Sequence, residues 1–419
     1  MKKDLVYAVI GAGNGGIAMA GYLSLLGYKV NLYNRTLDSI LPLIESPKIR
    51  LTGEVEGEGK LKLVTNSIEE AIEDANIIMV TVPAMGHYHL AKAMAPHLKD
   101  GQIIVLNPGR TGGALEVYAT IRQCGSNKDI TVAEAQTFIY ACRKTSETSA
   151  HIFKTKKEVT LAAIPSIKTN HVIEMVNEAY PQFIAARDVI ETSINNYGAI
   201  FHPGPTLLNS GHIERGAPFD YYTEGITPSI GNFLEKMDAE RMKIGLLLNV
   251  DTLSAKDWLE ETYGAKGKNL YEAVQNNPAY KGLQAPKGLN IRYIYEDVPY
   301  SLIPMSSIAK EFNIETPAID SIIRIAGLIT GVDFFQEGRT VERLGLKGLS
   351  VKEIHEFAEK GRILRGEEEV AASWKKFWYV SHQEYPNDAG GVPIPTEDHF
   401  RKLYEAAQRC NEMAWGKEY

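Results

Sequence analysis

The sequence predicts an α/β N-terminal domain with a parallel sheet, followed by a mainly α-helical second domain. A short apolar run at residues 5–10 leads into a glycine-rich loop, and strand-like and helix-like segments then alternate up to about residue 187. Over 228–249 apolar residues recur instead at helical spacing. We therefore expect an α/β domain over residues 1–188, a helical domain over 189–365 and a C-terminal extension of unassigned role over 366–419.

The first domain is expected to alternate strands with helices. This alternation is typical of a parallel sheet that helices cover on both faces. The predicted strands are 5–10, 28–33, 76–82, 102–107, 130–134 and 158–163, and the predicted helices are 17–26, 38–45, 87–98 and 113–123.

The second half is expected to contain one long helix over 228–249. Its charged residues Asp238, Glu240 and Arg241 are interpreted as a solvated helix face. The domain boundary is placed where the strand-rich alternation stops. Further helices are predicted at 254–262, 305–312, 317–329 and 350–364.

Composition limits the class of protein. The 419 residues exceed the roughly 250 to 300 at which single cores stop growing, so two domains are expected. Hydrophobic residues make up 44% and charged residues 23%, which is typical of globular chains. A net charge of -7 provides no basic stripe for nucleic acid, and no segment approaches the ~20 apolar residues that span a bilayer. Neither nucleic acid nor membrane is an expected partner.

The cysteines indicate the compartment. Cys124, Cys142 and Cys410 are odd in number and widely spaced, which favours a reducing compartment over a disulfide framework. The first apolar run belongs to the predicted fold rather than to a signal peptide, so a cytoplasmic location is expected. His87 and His89 are interpreted as helix-face residues, and no metal site is predicted.

The glycine-rich loop indicates a dinucleotide site. Gly11, Gly13 and Gly16 form G-x-G-x-x-G between a strand and a helix, with Asn14 and Gly15 between them. The first glycine permits the tight turn, the second lets the backbone approach a pyrophosphate, and the third lets the helix pack on the strand. The helix N-terminus offers free N–H groups to phosphates. The sequence therefore predicts a Rossmann domain that binds a nicotinamide dinucleotide.

The end of the second strand bears on which dinucleotide is bound. An acidic residue there would accept from the ribose hydroxyls and repel a 2′-phosphate. This chain has Asn34, Arg35 and Thr36 instead, and a guanidinium can pair with phosphate or stack on adenine. NADP is therefore favoured, with NAD as the alternative because Asp38 lies nearby.

Two further loops are expected at the carboxyl edge of the sheet, where open α/β sheets bind ligands. Val82 and Pro83 end one strand, and residues 107–113 follow another. Both loops, including Val82 and Pro83, are therefore expected to flank the nicotinamide half of the cofactor. Either loop could equally be an ordinary strand-to-helix turn.

Three polar residues with catalytic or binding potential follow the expected domain boundary. His202 precedes Pro-Gly-Pro, and about ninety residues later Arg292 precedes a Glu-Asp pair that ends at Asp297. A histidine can act as acid or base near neutral pH, and a carboxylate can orient its ring. A guanidinium can bind a substrate carboxylate through two hydrogen bonds. These residues could form a dehydrogenase site.

The chain resembles the octopine/nopaline (opine) dehydrogenases over about residues 5–365. The resemblance rests on IGAGNGGIAMAGYL, FHPGPTLLNSG and EDVPYSLIP. It implies that His202 and Asp297 are the catalytic pair and that Arg292 binds a substrate carboxylate. The segment 135–143 is similar to a family segment beside the substrate, which implies that Gln136, Thr137 and Cys142 are contacts. Residues 366–419 extend beyond the match, and several family members have an acidic group after the second strand and use NAD.

The resemblance implies reductive condensation of an amino acid amine with a 2-oxo acid such as pyruvate, followed by reduction of the imine. One alternative is an NAD(P)-dependent dehydrogenase of a simple 2- or 3-hydroxy acid on the same two-domain plan. Another is a catalytically silent dinucleotide sensor. The expected partners are the small-molecule substrates. The sequence does not fix the oligomeric state, and a homodimer is one assembly that it allows.

Overall fold

The structure, a computed structural model, describes residues 4–363, so the predicted extension over 366–419 lies outside the described residues. Within 4–363 the strands form two sheets. The strands are β1 Val6–Ile10, β2 Lys29–Tyr33, β3 Lys48–Gly53, β4 Gly57–Lys60, β5 Leu63–Thr65, β6 Ile77–Val80, β7 Ile103–Leu106, β8 Thr131–Ala135, β9 Tyr140–Ser146, β10 Ser149–Thr155, β11 Val159–Ile164 and β12 Phe183–Ala185.

The large sheet has eight strands in the order β12-β11-β8-β7-β6-β1-β2-β5. Neighbouring strands are parallel except β8 and β11, which are antiparallel. β1, β6 and β7 are buried along their whole lengths, as expected for strands that are covered on both faces. The predicted Rossmann-type domain with a mostly parallel sheet is confirmed.

The helices alternate with the strands up to β12 and dominate thereafter, which confirms a helical second domain. No helix within 4–363 combines the length and apolar character needed to cross a bilayer. The helices are α1 Asn14–Leu25, α2 Leu41–Glu45, α3 Ile68–Ile72, α4 His87–Met94, α5 Gly113–Gln123, α6 Thr169–Val176, α7 Val189–Ile194, α8 Gly198–Phe201, α9 Pro203–Leu208, α10 Ser210–Glu214, α11 Pro228–Leu247, α12 Ala255–Tyr263, α13 Leu270–Gln275, α14 Arg292–Tyr295, α15 Ile303–Glu311, α16 Pro317–Thr330, α17 Phe334–Glu337 and α18 Val351–Lys360, with a π-helical turn at Val298–Leu302.

A second sheet, which the sequence analysis did not predict, has the strand order β4-β3-β10-β9. It packs on α1, the helix that follows the glycine-rich loop. The approach is close because both surfaces carry glycine: a Cβ on Gly21 would lie 2.7 Å from Ile49, and one on Gly59 would lie 2.6 Å from the Gly21 carbonyl oxygen. Since sheets cover α1 on two sides, its sequence is apolar almost all round rather than amphipathic.

The long predicted helix is present as α11, but the interpretation of its charged residues is wrong. Asp238, Glu240 and Arg241 are buried. Arg241 bonds to Asp238 and donates to two backbone carbonyls. Glu240 accepts from the first backbone N–H groups of α16, at 2.8 and 2.9 Å. These side chains therefore join α11 to neighbouring elements, because the helix lies inside the helical half.

A buried arginine joins the two halves of the described chain. Arg339 bonds to Glu116 at 2.6 Å and donates to the carbonyls of Gly109 and Thr111 in the loop after β7. Its other Nη lies 2.9 Å from Nδ1 of His87. His87 is thus a buried residue rather than the helix-face residue that we expected, and its burial, with Arg339 nearby, keeps its pKa well below the ordinary value. The contacts hold the loop after β7 in one position.

Candidate active site

The glycine-rich loop has the geometry of a dinucleotide cradle. Gly11 has φ +109°, which a side chain would strain, and a Cβ on Gly16 would lie 1.7 Å from the Gly11 carbonyl oxygen. Around Gly13, by contrast, nothing lies within 4 Å of the corresponding position. α1 begins directly afterwards at Asn14, so its free N–H groups lie beside this open space. The residues present therefore fit a bound pyrophosphate.

The predicted cofactor residues after β2 differ in their exposure and in their hydrogen bonds. Asn34 accepts from the Ala12 N–H at 3.2 Å and donates to the Thr36 carbonyl at 2.9 Å, so its amide is used within the loops. Arg35 and Thr36 are exposed. Arg35 is therefore the side chain in this segment with free charged donors near the glycine-rich loop.

Val82 and Pro83 lie at the carboxyl end of β6, beside the glycine-rich loop. A Cβ on Gly11 would lie 2.9 Å from Val82 Cγ1. The next residue, Ala84, donates its N–H to Glu296 at 3.1 Å. In the adjacent loop after β7, the Thr111 N–H donates to the Tyr300 carbonyl at 3.2 Å. The carboxyl edge of the large sheet therefore contacts the segment that contains Glu296 and Asp297.

His202 and Asp297 are hydrogen-bonded, although 95 residues separate them in the sequence. His202 Nδ1 lies 2.8 Å from Asp297 Oδ2, and the carboxylate is fully buried while the imidazole side chain is 20% exposed. The imidazole stacks on the Tyr293 ring, with centroids 4.3 Å apart. This arrangement fixes the ring and leaves Nε2 as the nitrogen available to a substrate.

Arg110 is a site residue that the sequence analysis did not nominate. Its guanidinium pairs with Asp297 at 3.3 Å and with Glu296 at 3.2 Å. A Cβ on Gly198 would lie 3.0 Å from Arg110 Nη1 and 3.3 Å from His202 Cε1, so the guanidinium and the imidazole face the same small space. Burial alone would raise the pKa of Asp297, but the charges of Arg110 and His202 outweigh burial and lower it. Asp297 is therefore ionised at neutral pH.

Arg292 lies at the start of α14, one turn before Glu296. Its Nη2 is 2.9 Å from Glu296 Oε2, and its side chain is 61% exposed. Glu296 is nearly completely buried and holds both Arg110 and Arg292. The structure thus brings Arg292 beside the His202–Asp297 pair while keeping much of its guanidinium accessible.

The three residues of the segment 135–143 take different positions. Gln136 bonds to the Asn195 carbonyl and to Thr160, and Thr137 accepts from Lys156. Cys142 lies on β9 with its sulfur 3.5 Å from the Asn14 carbonyl, so it contacts the N-terminus of α1. Gln136 and Thr137 thus lie at the carboxyl end of β8, and Cys142 lies beside the glycine-rich loop.

His212, on α10, stacks on the Phe219 ring, with ring centroids 4.0 Å apart, which gives it a packing role. Within residues 4–363, no group of three or more histidine, cysteine, aspartate or glutamate side chains is arranged to hold a metal ion.

Comparison with known proteins identifies the family. Residues 6–109 match the model of the NAD binding domain of 6-phosphogluconate dehydrogenase, and residues 185–330 match that of the alpha-helical domain of NAD/NADP octopine/nopaline dehydrogenase. The opine dehydrogenase of Arthrobacter sp. (strain 1C) is 38% identical over 360 residues, which cover 86% of this chain and 100% of that enzyme. The chain belongs to the opine dehydrogenase family.

Solved structures agree with this family in fold. A structure of octopine dehydrogenase with NADH and L-arginine has a TM-score of 0.73 at 22% identity and covers 86% of this chain and 99% of the other. Yersinopine dehydrogenase bound to NADP+ has a TM-score of 0.65 at 14% identity, with coverage of 86% and 99%. This member of the opine dehydrogenase family is an oxidoreductase that uses a nicotinamide dinucleotide, and the resemblance found in the sequence is confirmed.

Proposed function

We propose that the His202–Asp297 pair catalyses the NAD(P)H-dependent reductive condensation of an amino acid with a 2-oxo acid, as family membership indicates, and the reverse oxidation. The observation that supports this assignment is the 2.8 Å hydrogen bond between the two side chains, beside loops at the carboxyl ends of β6 and β7. A ring held by a buried carboxylate can give and take protons without losing its orientation.

The cofactor would be held by the glycine-rich loop, with Gly11, Gly13 and Gly16 shaping the cradle and Asn14 and Gly15 at the helix N-terminus. Arg35, with Asn34 and Thr36 around it, is proposed to favour NADP over NAD, because an exposed guanidinium suits a 2′-phosphate. Val82 and Pro83 are proposed to flank the nicotinamide. When bound, the dinucleotide supplies the hydride that reduces the imine carbon.

Arg292 is proposed to bind the carboxylate of the 2-oxo acid and so to orient its carbonyl group towards His202. His202 Nε2 takes a proton from the ammonium group of the amino acid, and the nitrogen lone pair then attacks the carbonyl carbon. The imidazolium gives this proton to the carbonyl oxygen. A second transfer from nitrogen through His202 lets that oxygen leave as water, so that a protonated imine remains.

Asp297 stabilises the imidazolium that forms twice in this sequence. Arg110 acts through Asp297 by keeping the carboxylate ionised. Gln136, Thr137 and Cys142 remain proposed substrate contacts. A cytoplasmic location and a homodimer also remain proposals, and light scattering of the purified protein tests the second.

A two-substrate assay tests the function. Amino acids are paired with pyruvate and other 2-oxo acids, and loss of NADPH or NADH absorbance is followed. We expect oxidation only when both substrates are present. Oxidation with an oxo acid alone would support a hydroxy-acid dehydrogenase, and no oxidation with any pair would favour the dinucleotide sensor.

The His202→Asn variant tests the assigned residue. We expect kcat to fall about 10²-fold or more while cofactor affinity changes little. His97→Asn is a matched control, because His97 is a partly exposed histidine near Glu69 on another surface. A His202 variant that retains kcat within a few-fold would remove this residue from the mechanism.

A further inference from the structure

The proposed substrates bring two carboxylates into the site, and both remain in the product. The cations already described there are largely compensated: Arg110 pairs with Asp297 and Glu296, and Arg292 pairs with Glu296. Two guanidinium groups thus face two carboxylates before any substrate enters. A buried carboxylate needs a cation or several hydrogen bonds, so a second substrate carboxylate calls for a further positive group.

Lys156 lies where such a group is needed. It follows β10, its N–H donates to the Ile139 carbonyl at 2.9 Å, and its Nζ donates to Thr137 Oγ1 at 2.6 Å. Thr137 is at the carboxyl end of β8, and the residue before Arg110 bonds to that same strand end through the Gly109 N–H and the Ala135 carbonyl, at 3.2 Å. The ammonium group therefore lies at the edge of the sheet that carries Arg110.

The surroundings of Lys156 are those of a cation without a counter-ion. Within residues 4–363, no carboxylate lies within 4.0 Å of its Nζ. The residue is accessible to solvent, yet burial by the surrounding protein and, next, repulsion from Arg110 lower the pKa of Lys156 to about 8. Lys154, two residues earlier, pairs with Glu54 and is 70% exposed.

We propose that Lys156, together with Thr137, binds the α-carboxylate of the amino acid substrate. Arg292 belongs to the helical half and lies beside His202, whereas Lys156 belongs to the α/β half and lies beside Gln136 and Thr137. The two cations would thus hold the two carboxylates of the product from opposite halves of the chain, with the new C–N bond between them. This inference rests on the proposed function.

The experiment compares Lys156→Met with wild type, using an amino acid that the two-substrate assay identifies and the amine that lacks its carboxylate. Suitable pairs are L-phenylalanine with 2-phenylethylamine, L-leucine with 3-methylbutylamine and L-arginine with agmatine. The amine is measured as a competitive inhibitor, so it need not react. We expect Lys156→Met to raise KM for the amino acid about 10-fold or more, while the inhibition constant of the amine stays within about 2-fold.

Lys156→Arg keeps the charge and is expected to restore most of the affinity for the amino acid, and Lys154→Met is the matched control that leaves all constants unchanged. The proposal is overturned if Lys156→Met leaves KM for the amino acid unchanged, or if it raises this KM and the inhibition constant of the amine by the same factor. It is also overturned if only KM for the 2-oxo acid rises. Absence of two-substrate turnover in wild type would instead contradict the proposed function itself.

Discussion

Arg110 and Asp297 form a buried ion pair between the α/β half and the helical half, with Arg110 Nη1 3.3 Å from Asp297 Oδ1. Arg110 has φ +62°, a left-handed conformation that costs free energy in a residue with a side chain. The loop is held there by Arg339, which donates to the carbonyls of Gly109 and Thr111. A strained backbone thus places a guanidinium beside the carboxylate that orients His202.

Replacing Arg110 with Met should destabilise the fold and weaken catalysis. Two buried carboxylates, Glu296 and Asp297, would lose a cation, and removal of one partner of a buried pair costs about 3 to 5 kcal/mol. Because the wild-type pKa of Asp297 is lowered, its contribution to stability is present above about pH 4 and is lost as the pH falls through the folded-state value. The stability difference should therefore be largest near neutral pH and smaller below about pH 4.

Urea unfolding of both proteins across this pH range provides the measurement. Lys48→Met is the control, since Lys48 forms an exposed pair with Glu58 and should change stability by less than about 1 kcal/mol at any pH. A difference between wild type and Arg110→Met that does not change with pH would mean that Arg110 acts only by packing.

Alanine should have different effects at two glycines of the glycine-rich loop: it should lower stability at Gly16 and cofactor affinity at Gly13. Gly16→Ala places a Cβ 1.7 Å from a backbone oxygen, so α1 must move and we expect a loss of about 1 to 3 kcal/mol. Gly13→Ala meets nothing within 4 Å and needs no unusual φ, so stability should hold while the methyl group obstructs the pyrophosphate. Thermal unfolding and a fluorescence titration with NADPH distinguish the two effects. Unchanged NADPH affinity in Gly13→Ala would show that the phosphates do not pass this position.

Much of the α/β skeleton could be predicted because its signals are local. The glycine-rich loop, the buried strand β6 and the long helix α11 all follow from spacing or apolar runs within one segment. The second sheet was missed because β3 and β4 are rich in charged or glycine residues and β9 and β10 carry many polar ones, so none of them is a clear apolar run. These strands pack against α1, and no window of sequence shows that contact.

The site shows the same division between local and distant signals. His202 and Asp297 were nominated because motifs mark them, whereas Arg110 was noted only as part of a loop at the carboxyl edge of the sheet and was given no role of its own. Its importance arises from Glu296 and Asp297, 186 and 187 positions away. Asp238 and Arg241 looked solvated for a similar reason, because the backbone groups that they bind, at Ala255 and Ile194, lie outside α11. Charge pairs between distant residues cannot be recognised from residue type alone.

Arg35→Ala should weaken the binding of NADPH far more than the binding of NADH. The Asn34 amide is already bonded to Ala12 and Thr36, so Arg35 is the group expected to meet a 2′-phosphate. Loss of charge-assisted hydrogen bonds worth about 1.5 to 3 kcal/mol corresponds to a roughly 10- to 100-fold weaker affinity. Dissociation constants for both reduced cofactors provide the measurement, with the exposed Arg50→Ala as control. If the affinities for NADPH and NADH fell equally, Arg35 would not be the residue that distinguishes the two cofactors.

Arg292→Ala should raise KM for the 2-oxo acid about 10-fold or more and leave KM for the amino acid within a few-fold. The reason is that its exposed guanidinium lies beside the His202–Asp297 pair, and Glu296 remains paired with Arg110 when it is removed. Arg292→Lys should recover only part of the affinity, because an ammonium group cannot form two parallel hydrogen bonds to a carboxylate. Thermal unfolding should change little, since the lost pair is partly solvated. Arg324→Ala, an exposed arginine on α16, serves as control for loss of charge. If Arg292→Ala raised only KM for the amino acid, Arg292 rather than Lys156 would be the residue that binds the amino acid carboxylate.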